Sequence, residues 1–225
     1  MDVTAFLRDG FALFDGEMLD RQWCAEIADS VSTDGNNSQR HLVDHPSVRE
    51  LLESSALVQA VNSLLGHGAF ACKATLFDKG PMVNWLVAWH QDLSIPVSKR
   101  VERAGWRGWS VKDGVQYVQP PDTVLDGMLA VRIHLDDCDV CNGPLRVLAG
   151  SHLTGRMSPA SLERAPTLYT EHVVVGAAGT AVFMRPLLVH ASSKAQTSAR
   201  RRVLHLEFAA AALAGGIDWH RRVAI

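Results

Sequence analysis

Apolar positions recur at helical spacing through the first 70 residues and in short alternating runs after that. Phe6, Leu7, Phe11 and Leu13 lead into 18–31, where Met18, Leu19, Trp23, Ile27 and Val31 recur every three or four residues, the stripe of an amphipathic helix. The polar stretch 33–38 reads as a loop. Segments 48–52 and 57–65 are further short amphipathic helices, ended by Gly66 and Gly68. From Phe70 the texture changes, and apolar runs alternate with Gly, Pro, Asp and Asn. Strands are expected at 71–77, 86–89, 114–118, 128–135, 144–148, 171–175, 180–184, 187–190 and 203–208. That number suits an eight-stranded, two-sheet jelly roll. The expected fold is therefore mainly β with helices. A double-stranded β-helix (jelly roll, cupin-like) core over 70–225 is packed by a mostly helical 1–69, within a single domain of 225 residues. The long polar stretch 98–119, with Trp106, Gly108, Trp109 and Gly114, reads as an insertion of the lid or binding-loop kind.

Composition narrows the function classes. The chain is 47% hydrophobic and 20% charged, ordinary for a soluble globular protein. A net charge of −2 gives no electrostatic reason to bind nucleic acid or an anionic membrane. The first residues lack the basic and apolar regions of a signal peptide, and the apolar run 208–217 is too short to span a bilayer. A cytoplasmic protein is expected, and Cys24, Cys72, Cys138 and Cys141 fit a reducing compartment. Cys138-Asp139-Val140-Cys141 is a lone CxxC with no second pair for zinc, so ordinary turn cysteines are expected.

The candidate chemistry sits in Trp89-His90-Gln91-Asp92 and, 100 positions later, His190. Residues two apart in a strand share a face, so His90 and Asp92 enter one space while Gln91 turns away. Two imidazoles and a carboxylate form the facial triad that holds Fe(II) and leaves positions open for a co-substrate and O₂. An isolated His-x-Asp is weak in a chain with ten histidines; the surrounding pattern gives it weight. Arg200-Arg201-Arg202 follows His190. A dicarboxylate co-substrate needs a cation at its far end, and guanidinium binds carboxylate with two parallel hydrogen bonds. If 203–208 is a strand, Arg202, Leu204, Leu206 and Phe208 share an apolar face, and Arg201, Val203, His205 and Glu207 share the mixed one. The mixed face suits a cavity, which selects Arg201. Arg132, His134 and Asp136 likewise share one face of their strand, toward either solvent or the site.

At this point the chain resembles the phytanoyl-CoA dioxygenase family of Fe(II)/2-oxoglutarate oxygenases. Phe6-Leu7-Arg8-Asp9-Gly10-Phe11 is similar to the family's opening segment, and Trp89-His90-Gln91-Asp92 to its iron motif. The stretch from Asn142 through Gly143, Leu145, Val147 and Gly150 to Ser151-His152 resembles a further signature, with Ala149 where proline is usual. His190-Ala191-Ser192-Ser193 followed by Arg201-Arg202 resembles its last block, with Ala191 for the common glycine.

The resemblance implies iron ligands at His90, Asp92 and His190, and 2-oxoglutarate binding by Arg201 assisted by Ser192. Arg132, where the family often has Trp, and Asn84 are further co-substrate candidates. The implied reaction couples decarboxylation of 2-oxoglutarate by O₂ to oxidation of a C–H bond. The intact Asp92 favours hydroxylation, since relatives that halogenate lose this carboxylate. Trp106, Trp109, Gln116 and Tyr117 are the substrate candidates, as an apolar wall with hydrogen-bonding points. Lys99, Arg100, Arg103 and Arg107 read as a solvated face rather than an acyl-CoA phosphate site. The expected substrate is a small metabolite or natural-product intermediate. Two alternatives stand beside this reading: a metal enzyme on the same scaffold that does not use 2-oxoglutarate, and a non-catalytic small-molecule binding module.

Overall fold

A computed structural model describes residues 1–31, 38–80 and 84–225. The elements run α1 (Val3–Asp9), β1 (Phe11–Leu13), α2 (Arg21–Ser30), β2 (Ser38–Gln39), α3 (Pro46–Leu52), α4 (Ser55–Leu65), β3 (Phe70–Lys79), β4 (Val87–His90), β5 (Ile95–Val97), β6 (Arg107–Lys112), β7 (Val115–Gln119), α5 (Asp122–Asp126), β8 (Met128–His134), β9 (Leu145–Leu148), α6 (Pro159–Arg164), β10 (Glu171–Val174), β11 (Ala181–Met184), β12 (His190–Ser192), β13 (Arg201–Ala209) and β14 (Val223–Ala224). A seven-stranded sheet has the order β1-β11-β8-β13-β3-β14, with β2 also on β3, and a four-stranded sheet has the order β10-β9-β12-β4. All their pairings are antiparallel. This is the mainly β, jelly-roll-like core expected, with sheets that stay open rather than closing into a barrel.

The outer face of the large sheet carries the apolar side of the strand periodicity. Leu204, Leu206 and Phe208 of β13 pack with Ala74, Leu76, Val131 and Ile133 against Ile27, Leu51, Leu52, Leu57 and Val61 of the helices. Each helix starts on a side-chain cap where the sequence supplies one. Asp20 accepts from the Trp23 amide and Ser54 from the Leu57 amide, satisfying donors a helix end leaves open.

Three expectations are corrected. Phe11 and Leu13 belong to strand β1, paired with β11, not to a helical lead. Gly10 ends α1 at φ +80°, and a Cβ there would lie 2.3 Å from His152 Nδ1, so the chain turns out of the helix at a residue that must be glycine. The run 187–190 is not a strand ending at His190: 186–188 form a turn and β12 begins at His190. Half of the stretch 98–119 is strand rather than loop, with β6 and β7 joined to β5 as a separate three-stranded unit. The loop expected at 33–38 lies outside the described residues except for Ser38, which opens β2.

Candidate metal and co-substrate site

Between the two sheets lies a cavity of about 600 Å³, open solvent at its mouth included. Strands β3, β8 and β13 supply one wall and β4, β9 and β12 the other. His90 is the last residue of β4 and His190 the first of β12, and the two face each other directly across the strand pair. Asp92 lies just past β4. Its amide donates to Pro186 O at 2.9 Å. Gln91 does turn away, and its buried amide acts as a clamp: Nε2 donates to Leu187 O (2.7 Å) and Gly155 O (2.9 Å), and Oε1 accepts from Met157 N (2.8 Å). Residues 91–92 thus hold the 186–188 turn that delivers His190.

Ligand atoms of His90, Asp92 and His190 all lie within 4.8 Å of one another. The Asp92 oxygens are 3.9 Å from His90 Nε2 and 3.6 Å from His190 Nε2. Each imidazole bonds a backbone carbonyl through Nδ1, His90 to Ala88 O (2.8 Å) and His190 to Leu188 O (2.9 Å). A carbonyl only accepts, so Nδ1 carries the proton and the Nε2 lone pair faces the cavity, the tautomer a metal ligand needs. Asp92 Oδ2 is buried without a hydrogen-bond partner, a costly state for a carboxylate unless a cation joins it. Burial and the neighbouring His90 push His190 down to about 3, so the ring is neutral and ready to coordinate. Burial alone would raise the Asp92 carboxyl, but His190, His205 and His90 hold it well below the usual carboxylate range. The donor set fits Fe(II).

Farther in, Arg201 is 3% exposed and faces the cavity. Its strand neighbours are spent elsewhere: Arg200 binds Asp78, and Arg202 makes a two-pronged pair with Asp136 at 2.7 and 2.9 Å. Ser192 and Arg132 also line the cavity. Arg132 Nη1 donates to His205 Nδ1 at 3.2 Å, and burial, with Arg201 beside it, brings its pKa down to about 10.

Asn84 does not line the cavity. Both ends of its amide are used on Ala195, at 2.8 Å each, so it pins the loop after β12. None of the four substrate candidates lines the cavity either. Trp106 is buried with Phe70, Val118 and Trp219 and Trp109 packs at the edge of that cluster; Gln116 pairs within the small sheet; and the buried Tyr117 sits behind Lys73, its ring 5.8 Å from Nζ. These tryptophans find their apolar neighbours where the small sheet packs on Phe70 and Trp219, a contact that no spacing in the sequence discloses.

The cavity also contains two lysines set in a mostly apolar strand. Lys73 and Lys79 enter from β3, with Phe77 between them. Their alternation, 73-75-77-79, was the available signal. His205 and Glu207, on the mixed face of β13, complete a chain. Lys73 Nζ donates to Glu207 Oε1 at 2.5 Å, and His205 Nε2 lies 3.3 Å from that oxygen and 3.8 Å from Asp92 Oδ2. The signature around Asn142 is likewise explained. A Cβ on Gly143 would lie 2.6 Å from Ser193 O, and Gly143 O receives the Ser192 hydroxyl at 3.2 Å.

The chain matches no curated protein by sequence, but solved structures share its fold. EctD from S. alaskensis, determined with 2-oxoglutarate and 5-hydroxyectoine, superposes with a TM-score of 0.69 at 19% identity over 92% of this chain and 74% of EctD. SnoK, a non-heme alpha-ketoglutarate-dependent carbocyclase from nogalamycin biosynthesis, gives 0.69 at 15% identity over 93% and 83%. SnoN, an epimerase from the same biosynthesis, gives 0.67 at 17% over 93% and 80%. The phytanoyl-CoA dioxygenase family model matches residues 6–203. That span includes both halves of the triad and Arg201, and the chain belongs to the phytanoyl-CoA dioxygenase family of Fe(II)/2-oxoglutarate oxygenases.

Proposed function

We propose that this enzyme hydroxylates an unactivated C–H bond of a small metabolite or natural-product intermediate, with His90, Asp92 and His190 holding Fe(II). One observation carries the reading: two imidazoles and a carboxylate oxygen that has no hydrogen-bond partner among the described residues share a cavity with a buried arginine that no described carboxylate pairs. Fe(II) with 2-oxoglutarate and O₂ supplies the oxidising chemistry when bound; the chain supplies position and a restricted cavity. Arg201 anchors the far carboxylate of the co-substrate, and Arg132 lines its path toward the triad. The Ala88 and Leu188 carbonyls keep both imidazoles in the coordinating tautomer, and Gln91 keeps Asp92 aimed. Phe77, Trp85, Val87 and Leu145 give the cavity its apolar surface, against which a carbon skeleton can rest. The retained Asp92 supports hydroxylation over halogenation. All four cysteines are free thiols, in keeping with a cytoplasmic enzyme. Among the described residues no helix is long and apolar enough to cross a membrane.

Anaerobic addition of Fe(II) and then 2-oxoglutarate tests the class. A weak visible charge-transfer band is expected, absent in His90→Ala and Asp92→Ala. Iron binding without that band would point to a metal enzyme of another kind, and ligand binding without metal to a non-catalytic module. A substrate panel read by succinate release and product mass then separates hydroxylation from the other outcomes that share this fold.

A further inference from the structure

Lys79 and Arg201 are direct partners across β3 and β13, and both side chains turn into the cavity. Lys79 is 1% exposed, and no carboxylate among the described residues pairs with it or with Arg201. Its Nζ donates to Ser192 Oγ at 2.6 Å and to Ser193 O at 2.8 Å. An ammonium has three protons and accepts nothing, so one proton remains for the cavity. Arg201 Nε is also buried, with no partner among the described residues. Ser192 is in the opposite position. Its hydroxyl proton goes to Gly143 O, and it accepts from Lys79. A hydroxyl has a single proton, so Ser192 has none left for an anion.

Resting on the Fe(II)/2-oxoglutarate reading above, we propose that Lys79 and Arg201 together clamp the far carboxylate of 2-oxoglutarate, while Ser192 positions the Lys79 ammonium without touching that anion. Burial, followed by Arg201 and Arg132, brings the Lys79 pKa to about 7, so an arriving carboxylate also completes its protonation. The Trp85 ring lies 5.0 Å from Nζ, and Lys79 and Arg201 line the same space.

The test compares two keto acids on the anaerobic Fe(II) protein: 2-oxoglutarate, and 2-oxopentanoate, which chelates identically but lacks the far carboxylate. Lys79→Met is expected to raise the 2-oxoglutarate Kd about 10- to 100-fold, the loss of one charge-assisted hydrogen bond. The 2-oxopentanoate Kd should stay within about 3-fold. Lys79→Gln, which keeps a donor for Ser192, should lose the same discrimination and guards against a misfolded Lys79→Met. Ser192→Ala should cost less discrimination than either. Equal loss of both keto acids in the Lys79 variants overturns the clamp, as does unchanged 2-oxoglutarate affinity or a larger loss in Ser192→Ala. A wild-type protein that gives no band with either keto acid overturns the Fe(II)/2-oxoglutarate reading and the clamp with it.

Discussion

At one end of the cavity Lys73 donates to Glu207 at 2.5 Å, with His205 at 3.3 Å on the same oxygen. At the other end Lys79, Arg132 and Arg201 gather with no carboxylate partner among the described residues. Both groups are buried and both are built from β3 and β13, the second with Arg132 of β8 added, yet the first is paired within itself and the second is not. Burial alone would raise the Glu207 carboxyl, but Lys73 and His205 hold it below its ordinary value. At the other end burial and mutual repulsion push Lys79 down. A buried cation with its own counterion has its desolvation offset within the fold, and losing either partner is costly. Buried cations without one weaken the fold until an anion from outside arrives.

Substitutions should separate the two ends. The largest effect is expected at the paired end. Glu207→Gln leaves the Lys73 ammonium buried and unpaired, which should cost ~3–5 kcal/mol of stability, read by urea unfolding of the metal-free protein. Arg201→Met should leave the metal-free stability equal or higher, since it removes an uncompensated charge. A fall of similar size in both variants would erase the distinction.

His134, two residues from Arg132 on β8, reports the field of the unpaired end. Burial, then Arg132 and Arg201, push it from 6.5 down to about 4. A depressed pKa means its contribution is fully present above pH 6.5 and is lost as pH falls toward 4. The loss should approach ~3 kcal/mol, and His134→Gln should flatten that limb of the stability–pH curve. Bound 2-oxoglutarate, by neutralising the arginines, should shrink it in the wild type. Next in size, Arg201→Ala should weaken 2-oxoglutarate by ~2 kcal/mol, measured by the visible band. Smallest is Arg202→Ala, on the opposite face. It breaks the Asp136 pair for ~1 kcal/mol of stability and should leave 2-oxoglutarate affinity within about 2-fold.

How far the sequence reaches follows the same division. Arg201 was separable from Arg200 and Arg202 because strand alternation is a local rule and the β13 pattern is unambiguous. His90 and Asp92 were legible from spacing, although Asp92 reaches the site from beyond the strand, held through Gln91 and its own amide rather than by strand geometry. His190 is legible although its strand is not: the apolar run before it contains the buried 186–188 turn, and burial makes a turn as apolar as a strand. Lys73 and Lys79 are not legible, because lysine in an apolar strand reads as an edge residue unless its counter-charge, 134 positions away for Lys73, is known. Asn84 and the aromatics of the insertion lie outside the cavity lining for a different reason. Proximity in sequence to the iron motif, or location in a long insertion, says nothing about which way a side chain points.

The direct opposition of His90 and His190 across two strands has a consequence for how errors in folding express themselves. A slip of one residue in that pairing would turn one imidazole out of the cavity. Strand register and ligand set are therefore one specification, and a mispaired chain would hold iron poorly or not at all. In an enzyme that handles O₂ this makes the faulty copy inert rather than a source of stray oxidation.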